Sequence, residues 1–77
     1  MELDVFVRNF AGQFEETDLN LIQARTKFRD LEEWSSLTAM SIIAMVDETY
    51  NMKLTGDDIR KSYTIEDIFN IVESRKK

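Results

Sequence analysis

The sequence contains no cysteine and no histidine. Without thiols it forms neither a disulfide framework nor a thiolate metal site. Without imidazoles it lacks the usual general base, the usual zinc ligand and the side chain that titrates near neutral pH. Most catalytic schemes are excluded on that ground. Proline is also absent, and the only glycines are Gly12 and Gly56. Such a composition suits helices and marks few sharp turns. No apolar run approaches the roughly 18 residues of a membrane span. The opening residues, Met1, Glu2, Leu3 and Asp4, provide no cationic lead into an apolar stretch, so no signal peptide is predicted.

What is present fits one small helical domain. A chain of 77 residues buries only about 60–65% of the surface its unfolded form exposes. There is little room for a large catalytic pocket and its scaffold. Hydrophobic residues at 43% are enough to build a core, which argues against disorder, and charged residues at 32% are enough to keep it soluble. Fifteen acids face ten bases, and three of those bases, Arg75, Lys76 and Lys77, close the sequence. An acidic domain repels the phosphate backbone, so nucleic acid is not an expected partner. Partners with basic patches are, because complementary fields steer encounter. The expected setting is the cytoplasm, with the chain a monomer.

The spacing of apolar residues predicts four helices and no strands, in a bundle with a long first connection and a short third helix. Leu3, Phe6, Val7, Phe10 and Phe14 recur at three and four residues, a helical stripe over 2–16. Asp4 and Arg8 stand at an i,i+4 spacing that suits an exposed ion pair. Gly12 weakens the interior of this segment by up to about 1 kcal/mol. Residues 17–33 show no sustained period, and Leu19, Leu21, Ile22, Phe28 and Leu31 are expected to anchor them as a structured connection. The second helix is expected over 36–50. The third, over 56–61, follows a Thr55-x-x-Asp58 capping box. The fourth, over 65–74, follows a Thr64-x-x-Asp67 box. Ile59, Ile65, Ile68, Phe69 and Val72 are the apolar residues that follow these two starts. No repeat or linker divides the chain, so residues 1–77 read as one domain.

The second helix carries more apolar surface than one core needs. At about 100° per residue, Ala39, Ile42, Ile43, Val46 and Tyr50 gather on one stripe. Leu37 and Ala44 fall on the opposite side, with Ser41 and Glu48 between them and Met40 and Met45 flanking. Isolated apolar side chains on a surface are ordinary. Two methionines, a leucine and an alanine together suit adaptable partner contacts. The start of the same helix, Trp34-Ser35-Ser36-Leu37, holds two serines. One of them need only be an N-cap. A serine hydroxyl there is also a favourable place for an attached phosphate, because free N–H groups and the positive end of the helix dipole stabilise negative charge.

From Phe28 to Leu37 the sequence resembles the approach to the attachment motif of the acyl carrier protein family, which runs phenylalanine, acid, leucine and then Asp-Ser-Leu. Asp47-Glu48-Thr49-Tyr50 is similar to the family's acidic pair and aromatic at the end of the second helix. Leu54 and Thr55-Gly56-Asp57-Asp58-Ile59 resemble its loop and short third helix. Tyr63-Thr64-Ile65-Glu66-Asp67-Ile68 resembles the start of its last helix. The likeness covers about residues 26–72. No single motif decides it, and the specificity lies in their order and spacing.

The resemblance implies that Ser36 carries 4′-phosphopantetheine, transferred from coenzyme A by a phosphopantetheinyl transferase. The arm's thiol would hold an acyl group as a thioester, which lets a chain without cysteine or histidine take part in acyl chemistry. The carrier itself would catalyse nothing. Leu37, Met40, Ala44, Met45, Asp47 and Glu48 would face the partner enzymes, acyl-transferring, synthase or ligase, through their basic patches. Val46, Leu54, Ile59 and Ile68 would be candidates to line an acyl cavity, although each is equally explained as plain core. The sequence departs from the family pattern in three places. Ser35 replaces the aspartate before the modified serine, the glycine after Asp-Leu is missing, and one extra residue separates Leu31 from Ser36. Few acids precede Asp47 in the second helix, and Asp30, Glu32, Glu33, Asp57 and Asp58 are placed to supply charge from the flanks. These departures point to a specialised lipid, polyketide or cell-envelope pathway rather than housekeeping fatty acid synthesis. A peptidyl or aminoacyl carrier shares the same logic, and a small helical adaptor without a prosthetic group is the competing class.

Overall fold

In the computed structural model, residues 2–75 are described; Met1, Lys76 and Lys77 lie outside them, so the basic end of the chain is seen only at Arg75. Among the described residues there are four α-helices, α1 (Leu3–Ala11), α2 (Ser36–Tyr50), α3 (Gly56–Lys61) and α4 (Ile65–Arg75). The long first connection holds two 3-10 turns, Leu19–Leu21 and Phe28–Asp30. No strand forms among the described residues, and a single isolated antiparallel bridge pairs Lys27 with Thr64. Helix α1 packs on α4 and α2, and α3 packs on α2 and α4. The architecture is the all-α one expected, a small four-helix bundle with a long first connection and a short third helix.

Helix α1 stops short of the apolar stripe that predicted it to residue 16. Past Ala11 the chain tightens, with Gln13 N–H donating to the Phe10 carbonyl and Phe14 N–H to that of Ala11. The next amides find a competing acceptor. The Glu33 carboxylate takes hydrogen bonds from the N–H groups of Glu15, Glu16 and Thr17 at 2.7, 3.0 and 2.9 Å, and from the Thr17 hydroxyl at 2.8 Å. Donors that a longer helix would aim at its own carbonyls are satisfied by an acid 16 to 18 residues away. These bonds hold the Glu33 carboxyl below its ordinary pKa of 4.5. Phe14 still reaches the core, by way of the turn.

Of the expected anchors in the first connection, Ile22 and Phe28 are buried and Leu31 packs half-buried against the core. Leu19 and Leu21 do not anchor: they are 56% and 66% exposed. A three-residue turn offers only part of its circumference to the core. The Asp18 side chain caps it by accepting from Asn20 N–H, and Ile22 takes the inward position. The connection is fastened to α4 by Ile65 N–H donating to the Thr26 carbonyl and Glu66 N–H to that of Ala24. The Asp4–Arg8 ion pair is not formed; the ion pairs among the described residues are Asp57–Arg60 and Asp58–Arg75. Exposed pairs are worth little in water, so spacing alone does not enforce one.

Both capping boxes form. Thr55 Oγ1 accepts from Asp58 N–H while the Asp58 carboxylate accepts from Thr55 N–H. Thr64 and Asp67 exchange the same pair of bonds. Asp58 does more, because the Arg75 guanidinium clamps its carboxylate with two bonds of 2.6 and 2.9 Å, tying the start of α3 to the end of α4. At 6% exposed, Asp58 is held far below its ordinary pKa of 3.8, first by that guanidinium and then by Thr55. A carboxylate with a depressed folded pKa contributes stability that is complete above its unfolded value and is lost as pH falls through the folded one. Stability should therefore be flat from neutral pH to about 5 and decline below about 4. Asp58→Asn should destabilise the domain by about 2 kcal/mol at pH 7. The gap between variant and wild type should narrow at pH 3. Urea midpoints at the two pH values measure this, and equal gaps would show that Asp58 contributes as a polar cap rather than as a charge.

Candidate functional site

The approach to α2 is built on aromatic packing. The Trp34 ring lies 4.7 Å from that of Phe28 and 6.4 Å from both Phe10 and Phe14, parallel to Phe10 within 2°. The chain then turns outward into two serines with different duties. Ser35 is the N-cap: its extended backbone and its Oγ, which accepts from Thr38 N–H at 3.3 Å, start the helix. The Thr38 hydroxyl donates to the Glu33 carbonyl at 3.0 Å and fixes the turn from behind. Ser36 is the first residue of α2 and is exposed. Among the described residues its hydroxyl has no hydrogen-bond partner.

Beside Ser36 opens a shallow cleft of about 340 Å³ between α2 and α3. Trp34, Ala39, Gly56 and Ile59 give it an apolar floor, and Arg29 and Arg60 bring two guanidinium groups to it. Arg29 is positioned rather than free. It donates to the carbonyls of Ile59 and Ser62 at 2.6 and 2.7 Å, capping the end of α3, and lies over the Phe28 ring at 5.0 Å. Arg60 sits at the surface, paired with Asp57. Two arginines thus lie next to the exposed hydroxyl, one held by carbonyls and the other paired with Asp57.

The face beyond Ser36 is partly as expected. Leu37 is 77% and Met40 66% exposed, and Ala44, Asp47 and Glu48 are exposed along the same side of α2. Met45 is not on that surface. It is 7% exposed and belongs to the core with Ile42 and Val46. On the helical wheel Met45 stands only about 60° from Ile42. The buried arc has rotated toward it, leaving Ala39, Ile43 and Tyr50 half-buried at the edge. Tyr50 accounts for its edge position, since its hydroxyl accepts from the Asn9 side chain at 2.8 Å.

The four candidate cavity residues, Val46, Leu54, Ile59 and Ile68, are all buried in one core cluster. Of these, Ile59 also lines the cleft beside Ser36. The flanking acids divide: Asp30 and Glu32 are exposed, whereas Asp58 is buried against Arg75, Asp57 is paired with Arg60 and Glu33 is turned to the amides of 15–17. Sequence reasoning passed over Arg29 and Arg60. Nothing in their spacing marks them, because the cleft unites residues from the connection, α2 and α3. No group of three or more acidic residues among those described is placed to hold a metal ion, and no described helix is long and apolar enough to cross a membrane. Comparison with family models, curated proteins and solved structures finds no match to this chain.

Proposed function

We propose that this chain is a carrier domain of the acyl carrier type, with Ser36 Oγ the attachment point for 4′-phosphopantetheine. The observation that carries the reading is the division of labour between the two serines. Ser35 is engaged as the N-cap, while Ser36 offers an exposed, unpartnered hydroxyl at the head of a fifteen-residue helix. The residues around it fit a phosphodiester. The amides of Ser36 and Leu37 at the head of α2 point the positive end of the helix at the site, and Arg29 and Arg60, though engaged with protein partners, add positive charge beside it. The cleft's apolar floor suits the uncharged part of an arm. When attached, the group would supply the thiol that this sequence lacks, and partner enzymes would supply the catalysis. Leu37, Met40 and Ala44, with Asp47 and Glu48, would dock against those enzymes through weak, fast contacts steered by charge.

The test is covalent and direct. Purified protein is incubated with coenzyme A and a broad-specificity phosphopantetheinyl transferase, and the intact mass is recorded. Wild type and Ser35→Ala should gain one phosphopantetheine, and Ser36→Ala none. Ser35→Asp should react faster if a carboxylate before the attachment serine contacts the transferase, and it can still cap the helix. Wild type that remains unmodified, also with the transferase of its own genome, would end the carrier reading. The second reading is an adaptor without a prosthetic group. It is favoured by the exposure of Leu37 and Met40 on one face, which needs no arm to be useful. Which cargo a carrier would hold, acyl or aminoacyl, is decided by loading assays with the modified protein.

A further inference from the structure

The first connection and the residues leading into α2 enclose a second groove, of about 640 Å³, that shares no lining residue with the cleft beside Ser36. Its walls hold Glu16, Asp18, Asp30, Glu32 and Glu33. Five of the chain's fifteen acids therefore line it, and none of the ten bases does. Between them lie Leu31, half-buried, and Leu21, 66% exposed. Leu21 is held outward by local structure. Asp18 caps its turn, and the Thr26 hydroxyl donates to the Leu21 carbonyl while accepting from Gln23 N–H. The wall carrying Glu16 is set from the other side by the Glu33 carboxylate, which grips the amides of 15–17.

We infer that this groove docks a basic segment of a partner protein, one in which lysine or arginine residues flank a leucine-like side chain. Charge complementarity selects the occupant. Glu33 is already satisfied by the amides of 15–17, but Glu16, Asp18, Asp30 and Glu32 still place like charges around one apolar spot, and a cationic segment relieves their repulsion while covering Leu21 and Leu31. Nucleic acid and anionic lipid are repelled by the same field. The preset walls reduce the ordering that binding would otherwise require. The interface is small, so binding should be weak and salt-sensitive. It does not depend on attachment at Ser36, and Ser36→Ala should bind equally well.

The probe is an acetylated and amidated Lys-Lys-Leu-Lys-Lys peptide, titrated into the ¹⁵N-labelled full chain at low salt. Amide shifts should concentrate at residues 16–21 and 30–33. Replacing the peptide's leucine by serine, or making Leu21→Ser in the protein, should weaken binding by about tenfold to a hundredfold, the loss expected for one buried leucine. Leu21 is exposed, so that variant should fold normally. The pair Asp30→Lys and Glu32→Lys should remove binding, and half-molar salt should weaken it severely. The inference is overturned if the leucine and serine peptides bind alike, if the shifts fall on Leu37 and Met40 instead, or if no shift occurs. It is also overturned if calcium alone reproduces the shifts, which would make the groove a cation site.

Discussion

Met45→Glu should remove much or all of the protein's stability at neutral pH. Met45 is 7% exposed among Ile42, Val46 and the rest of the core. Removing its buried side chain costs about 1.5–3 kcal/mol of apolar burial, and placing a carboxylate there without a partner costs several more. For 77 residues the total stability is on the order of 4–12 kcal/mol. The substitution therefore consumes much or all of it. Two companion variants isolate the cause. Met40→Glu, on the exposed side of the same helix, should stay within about 0.5 kcal/mol of wild type. Met45→Gln should be less damaging than Met45→Glu at pH 7, and the two should converge as pH falls toward about 4, where glutamate becomes neutral. Thermal melts by circular dichroism measure all three. If Met45→Glu melted with wild type, the buried arc of α2 would be elsewhere, and Met45 would return to the docking face.

The second large effect is expected at Phe10. This ring is fully buried and stands 5.8–6.5 Å from those of Phe6, Phe14, Phe28 and Trp34, the hub of the aromatic cluster that carries the approach to α2. Phe10→Ala should cost about 3–5 kcal/mol, a fall in Tm of roughly 4–8 °C for each kcal/mol in a domain of this size. Phe10→Leu should be much milder. Because Trp34 stacks on Phe10 and leads directly into Ser35 and Ser36, the site should loosen along with the core. Tryptophan emission should shift to the red in Phe10→Ala even at temperatures where the helices remain. Under the carrier reading, attachment at Ser36 should slow in the same variant. An unchanged Trp34 spectrum would show that the cluster does not hold the approach to α2.

Local chemistry determines most of what the sequence specifies by itself. The starts of α3 and α4 follow from Thr55/Asp58 and Thr64/Asp67, where donor and acceptor lie within three residues and need no tertiary partner. Helix α2 over 36–50, and the two serines at its head, follow from apolar spacing and capping preference in the same way. The absence of cysteine and histidine leaves no thiol or imidazole for a disulfide, a thiolate metal site or a near-neutral base, and the absence of proline suits helices.

Only the tertiary structure decided which arc of α2 is buried. That helix is apolar on more than one side, so its periodicity permits several rotations, and packing by α1 and α3 selects the one that buries Met45. The end of α1 was likewise decided at a distance, by Glu33 taking the amides of 15–17. The cleft with Arg29 and Arg60, the clamp of Arg75 on Asp58 and the acid-walled groove around Leu21 join residues far apart in the chain. Spacing within a segment fixes which face a residue shares with its neighbours, but not what another segment brings against that face.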